Sequence, residues 1–111
     1  MEWKIIMYVS GNRAIVEEFI DSLQPSTYGK ALRLLNLLRA KGANLGMPYS
    51  RALGKGMFEL RITGRQEIRL FYIFGTQRQV FIVHGFEKKT QRMPQYELLV
   101  ARRRQKELTR I

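Results

Sequence analysis

The stretch from Met57 to Phe86, where apolar and polar residues alternate through three successive runs, constrains this chain more than any other. In residues 57–63, Phe58, Leu60 and Ile62 alternate with Met57, Glu59, Arg61 and Thr63, the period-two pattern of a strand with one buried face. Residues 68–74 put Ile68, Leu70, Tyr72 and Phe74 on one face and Arg69, Phe71 and Ile73 on the other. Residues 80–86 group Val80, Ile82, His84 and Phe86 against Phe81, Val83 and Gly85. Segments 63–66 and 75–78 carry turn chemistry, so the three runs predict an antiparallel meander.

Register makes this pattern informative. With the first turn centred near Arg65, Arg61 faces Arg69 and Glu59 faces Phe71, all on the odd-numbered face. Two arginines directly opposite one another repel. An anion held between them, a phosphate above all, would explain the pair. Splaying to solvent, or neutralisation of one arginine by Glu59, would also explain it.

The remaining segments supply helices. Trp3, Ile5, Met7 and Val9 alternate with Lys4, Ile6 and Tyr8, which predicts a first strand over 2–9. Ile15, Val16, Phe19, Ile20 and Leu23 form the apolar stripe of a helix, with Asn12 or Ser10 as its cap and Gln24-Pro25 as its end. A second helix starts at Ser26 or Thr27 and runs to about Lys41, with Tyr28, Ala31, Leu32, Leu35 and Leu38 inward and Gly42 closing it. Residues 42–56, with four glycines and one proline, read as a loop containing Arg51 and Lys55, whose bland reading is solvated surface charge. Pro94 opens a last helix, about 95–108, whose second half carries Arg102, Arg103, Arg104 and Lys106 and is followed by Arg110. That basic run is either a solvated tail or an RNA-facing arm.

At 111 residues, the chain fits one domain spanning 1–111 with a single modest core. Its formal charge of +11 exceeds what solubility needs and favours a polyanionic partner, nucleic acid first. The absence of cysteine excludes a disulfide scaffold and a thiolate nucleophile, and one histidine without a ligand cluster argues against a transition-metal site. No signal-peptide pattern opens the sequence and no apolar run nears the length of a membrane span, so a cytoplasmic protein without a membrane partner is expected.

Element order, the segment Phe58-Glu59-Leu60-Arg61, the segment Ile68-Arg69-Leu70-Phe71-Tyr72, and His84-Gly85-Phe86 followed by Lys88-Lys89-Thr90-Gln91 together resemble the RelE/ParE superfamily of toxins, closest to its phage-derived HigB-like subgroup. The resemblance implies an α+β, RelE-like fold of order β-α-α-β-β-β-α, with an antiparallel sheet, an N-terminal helical hairpin and a C-terminal helix. It further implies the toxin of a type II toxin-antitoxin system, acting as a ribosome-dependent mRNA endoribonuclease that needs no metal or other cofactor. Implied partners are a cognate antitoxin, typically a helix-turn-helix protein, together with the ribosome and mRNA.

By the same resemblance, Arg69 contacts the scissile phosphate, Arg61 is the second phosphate ligand, and Lys88 and Lys89 close the site. Glu59 is either the general base or a counter-ion for these arginines. Lys55, Gln91, Arg92, Arg102 and Arg103 are candidates for holding RNA. Some relatives use a tyrosine or histidine near the C-terminus, and none is evident in this sequence, which leaves acid and base open. His84 could serve, but its parity favours a packed, hydrogen-bonded residue on the face that carries the helices. Two alternatives stay open: a ParE-like gyrase poison, against which the Arg and Lys set argues, and a non-catalytic basic RNA-binding or ribosome-associated module.

Overall fold

The computed structural model describes residues 2–109. In chain order these form β1 (Lys4–Met7), α1 (Ile15–Asp21), α2 (Pro25–Lys41), a short 3-10 turn at Gly42–Asn44, β2 (Ser50–Gly54), β3 (Met57–Ile62), β4 (Ile68–Phe74), β5 (Gln79–Glu87) and α3 (Gln95–Thr109). The five strands make one sheet in the order β1-β5-β4-β3-β2, and the class is α+β as the sequence predicts. Arg110, the last arginine of the basic run, lies outside the described residues.

Two features of the sheet correct the sequence reading. The sheet is mixed, because β1 pairs parallel with β5, Lys4 beside Gln79 through Met7 beside Ile82. A parallel neighbour requires a long connection, and the chain between β1 and β5 contains both N-terminal helices and strands β2, β3 and β4. The second correction is β2, which occupies part of the predicted loop 42–56 and pairs antiparallel with β3, Arg51 beside Glu59. Gly54, Lys55 and Gly56 all have positive φ (89°, 54° and 79°) and form the turn of this hairpin. Gly54 and Gly56, two of the four glycines that suggested a loop, are turn glycines, and the strand before them is too short and too exposed to show an apolar alternation.

The helices differ from expectation at their ends. Neither Asn12 nor Ser10 caps α1, which starts after Ala14 without a side-chain cap, while Ser10 and Arg13 form an isolated backbone bridge. Pro25 opens α2 where it was expected only to end α1, since a proline at the first helical position gives up no intrahelical hydrogen bond. Leu32, placed inward by the sequence reading, is exposed, whereas Ala31, Leu35 and Leu38 are buried. Gly42 closes α2 at φ 54°, and a Cβ there would lie 2.0 Å from the Trp3 indole.

Each face of the sheet has its own apolar cluster. On one side Leu60, Ile62, Ile68, Leu70, Tyr72, Val80 and Ile82 pack with Val16, Ile20, Ala31, Leu35 and Leu38 of α1 and α2. On the other, Met57, Phe71, Ile73, Val83 and Phe86 pack against Ala101 of α3. The meander has the predicted register, with Arg61 across from Arg69 and Glu59 across from Phe71.

Within the meander parity fails in β5, where Phe71 pairs with His84 but Tyr72 pairs with Ile82, leaving Val83 as a bulge. One inserted residue exchanges the faces of everything beyond it. His84 and Phe86 therefore lie on the α3 side, opposite to the face expected from simple alternation.

Candidate functional site

α3 covers only part of its face of the sheet. Beyond it, the odd-numbered positions of β3 and β4 turn from apolar to charged, and a cleft of about 540 Å³ opens there. Arg51 of β2, Glu59 and Arg61 of β3, Arg69 of β4 and Glu67 before it line one wall. Lys88, Lys89, Thr90, Gln91 and Met93, between β5 and α3, line the other. Five cationic side chains thus face two carboxylates, an excess that suits an anionic ligand.

Glu59 sits at the centre of this arrangement. It is 1% exposed, with Oε2 2.9 Å from Arg51 Nε and 4.0 Å from Arg61 Nε, and Oε1 3.7 Å from Arg69 Nε. A buried carboxylate requires cationic partners, and three guanidiniums converge on this one. Glu59 is thus ion-paired with three guanidiniums, Arg51, Arg61 and Arg69. The convergence is incomplete, since Glu59 Oε1, Arg61 Nε and Arg69 Nε are buried without a hydrogen-bond partner.

Arg69 lies at the floor of the cleft. Its Nη1 donates to the Ile68 carbonyl at 3.1 Å, and both Nη atoms lie 3.4 Å from Glu67 Oε1. Glu67 is partly exposed and its other oxygen accepts from the Gly64 amide at 3.2 Å. The Glu67 carboxylate thus stands at the outer fork of Arg69, where an incoming anion would compete with it.

The opposite wall is a structured loop. Lys88 Nζ donates to the carbonyls of Thr90 at 2.6 Å and Gln91 at 2.9 Å, and its backbone amide donates to the Glu67 carbonyl at 2.6 Å. With two donors on its own loop, Lys88 shapes the wall more than it reaches across it. Lys89 is exposed at the rim.

The structure brings Glu59, Arg61, Arg69, Lys88, Lys89 and Gln91 of the expected residues together. Arg92 is exposed on the same loop, but outside the cleft lining. Lys55 lies in the β2–β3 turn and offers its carbonyl to Gln105 of α3 at 2.7 Å. Arg102 holds that same turn, donating to the carbonyls of Gly54 at 3.1 Å and Leu53 at 3.2 Å. Arg103 is exposed on α3.

Two cleft residues escaped the sequence reading. Arg51, there taken as surface charge, forms the shortest of the Glu59 ion pairs. Glu67 gave no signal beyond its place in the turn before β4.

His84 is bonded on both ring nitrogens. Its Nε2 is 2.7 Å from Glu97 Oε1, and Arg104 Nη1 is 3.2 Å from its Nδ1. Guanidinium can only donate, so Nδ1 accepts and the Nε2 proton goes to Glu97, which is the neutral imidazole. Burial pushes its pKa below the usual histidine value, opposed by Glu97 and reinforced by Arg104. His84 is thus a packed residue tying α3 to the sheet, outside the cleft lining. Tyr72 is likewise buried, its hydroxyl on Ser50 Oγ, with a pKa raised by burial.

Fold and cleft together define a small α+β protein with a cationic cleft beside its C-terminal helix. Residues 18–106 match the family described as Phage derived protein Gp49-like (DUF891), and the chain belongs to that family, which lies within the RelE/HigB-type toxins. No curated protein gives a significant match. Among the described residues, no helix is long and apolar enough to cross a membrane.

Proposed function

We propose that this chain is the toxin of a type II toxin-antitoxin pair, of the HigB-like kind, and that it cleaves mRNA on the ribosome, in the cytoplasm, without a metal. The observation that carries this reading is the pair of facing arginines, Arg61 and Arg69, in a cleft with an excess of cations over carboxylates. Family membership supports the toxin class.

The proposed reaction is attack of an RNA 2′-hydroxyl on the adjacent phosphorus. The P–O2′ bond forms and the P–O5′ bond breaks, leaving a 2′,3′-cyclic phosphate and a 5′-hydroxyl. The 2′-proton leaves to a base and the departing O5′ takes one up. Arg69 and Arg61 stabilise the charge of the pentavalent phosphorane with donors already fixed in place, and Lys89 adds a cation from the opposite rim. Glu59 orients the guanidiniums, and Lys88 holds the wall at residues 88–91. The partners are an antitoxin of the helix-turn-helix type, the ribosome and mRNA.

Adding the purified protein to a translating extract tests this reading. Truncated mRNAs with 5′-hydroxyl ends are expected, with the wild-type chain active and Arg61→Ala inactive. Intact transcripts with trapped DNA breaks would replace the reading with gyrase poisoning. Intact transcripts and intact DNA would leave a binding module.

A further inference from the structure

Few side chains of the cleft can accept a proton. Its arginines and lysines arrive as donors only, and Thr90, Gln91 and Met93 carry no base. His84, the only histidine of the chain, lies outside the lining. Two carboxylates remain, Glu59 and Glu67, and they are placed in opposite ways. Glu59 is 1% exposed and ion-paired with Arg51, Arg61 and Arg69, so a proton arriving there would strip three guanidiniums of a shared counter-charge. Glu67 has 42% of its side chain exposed and stands over the outer fork of Arg69.

Glu67 is also held in place. Its backbone carbonyl accepts the Lys88 amide at 2.6 Å, which ties it to the opposite wall. One carboxylate oxygen, Oε2, accepts the Gly64 amide at 3.2 Å. The other, Oε1, has only long contacts, 3.4 Å to each Nη of Arg69.

We propose that Glu67 is the general base of the cleft, taking the proton of the attacking 2′-hydroxyl; the assignment rests on the RNA-cleavage reading above. A phosphate that reaches Arg69 takes its two Nη donors and releases Oε1 beside the incoming group. The 2′-hydroxyl of the nucleotide whose 3′-oxygen esterifies that phosphate is the nearest acid to the freed oxygen. Its O–H bond breaks, the proton passes to Oε1, and the O2′ electron pair forms the P–O2′ bond. The P–O5′ bond breaks as O5′ takes a proton from water, and Glu67 returns its own proton to solvent when the product leaves. Arg69 thus couples the two events: binding the phosphate is what frees the base.

A counter-ion role predicts the opposite behaviour. If Glu67 only screened Arg69, removing its charge would free the fork, tighten substrate binding and leave the maximal rate alone.

The test measures cleavage of mRNA on programmed ribosomes by the full chain, per folded molecule, for wild type, Glu67→Gln and Glu67→Asp. Glutamine keeps the shape and an oxygen for the Gly64 amide, and the Lys88 bond uses the backbone, so thermal unfolding should change little. Glu67→Gln is expected to lower kcat by about 10²–10⁴-fold, with KM unchanged or lower. Glu67→Asp, shorter but still a carboxylate, should cleave at least about tenfold faster than Glu67→Gln. A kcat for Glu67→Gln within about threefold of wild type, a rise in KM as the only change, or equal losses in the two variants would each overturn the assignment. Wild-type cleavage matched by Glu67→Gln removes Glu67 alone and leaves the RNA-cleavage reading standing. A wild-type chain that cleaves nothing removes both.

Discussion

The cleft and α3 each carry a cluster of arginines, and the two clusters behave in opposite ways. On α3, Arg102 donates to the Gly54 and Leu53 carbonyls, and Arg104 donates to the Val83 carbonyl at 2.8 Å while its guanidinium lies 4.8 Å over the Tyr8 ring. Both are absorbed in fastening the last helix to the sheet. In the cleft, Arg51, Arg61 and Arg69 converge on the Glu59 carboxylate, and two of their Nε donors are ion-paired with it but make no hydrogen bond. An arginine's role is decided by the supply of acceptors around it, and carbonyl-rich strand and turn ends satisfy the α3 cluster where the two carboxylates of the cleft leave buried donors without a hydrogen bond.

The sharpest way to break this contrast is at Arg69. Arg69→Lys keeps a positive charge beside Glu59 but removes the fork that grips a phosphate bidentately. Loss of such a preorganised donor is expected to cost about 10²–10³ in cleavage rate, or about 2.7–4 kcal/mol of transition-state stabilisation, with little change in melting temperature. Cleavage rates and thermal unfolding of the same preparation check both halves. A fully active Arg69→Lys would remove Arg69 from the site.

Arg104→Ala should show the reverse profile. The variant loses a charge-assisted bond to the Val83 carbonyl, the bond to His84 Nδ1 and the contact with Tyr8, so a loss of about 1.5–3 kcal/mol in denaturant unfolding is expected. Cleavage per folded molecule should stay unchanged. A loss of cleavage beyond the unfolded fraction would end the division between the two clusters.

How much of this was legible depends on what kind of fact each residue represents. The Arg61–Arg69 pair could be read because alternation and a short turn together fix the register. The face of His84 could not, because the bulge at Val83 leaves no mark in an apolar run. Arg51 was missed because β2 is a short edge strand whose partner, Glu59, was visible only from β3's side. The α3 arginines could not be told apart in the sequence, for a geometric reason. Consecutive helical residues point about 100° apart, so Arg102, Arg103 and Arg104 meet the β2–β3 turn, solvent and the β1–β5 side respectively. A basic run in sequence is then three separate positions in space.

A smaller effect is expected at His84, which bonds Arg104 and Glu97 at the α3 junction. Its pKa in the folded chain is lowered, chiefly by burial, so below the ordinary histidine value near 6.5 the unfolded chain binds the proton more readily. The stability it contributes is present above about pH 6.5 and falls as pH drops toward the folded pKa. His84→Gln should flatten that limb of a stability-against-pH curve without altering the pH dependence of cleavage per folded molecule. A changed cleavage profile would return His84 to the acid-base chemistry.

Arg103 gives the smallest effect and the finest division, because it separates one arginine of α3 from its two neighbours. It is exposed, whereas Arg102 and Arg104 are partly buried and bonded. Arg103→Ala should therefore change stability by no more than about 0.5 kcal/mol, the usual range for surface substitutions. If Arg103 meets an RNA phosphate, its removal should weaken binding to all sequences alike and make the slope of log affinity against log salt shallower by about 0.7, the value for one contact on a single strand. Arg102→Ala should instead loosen the β2–β3 turn and lower stability by about 1 kcal/mol per lost carbonyl bond. Titrations of both variants at several salt concentrations, paired with denaturant unfolding, decide the matter. An unchanged salt slope for Arg103→Ala would confine RNA binding to the cleft and leave the basic run of α3 as architecture and solvated surface alone.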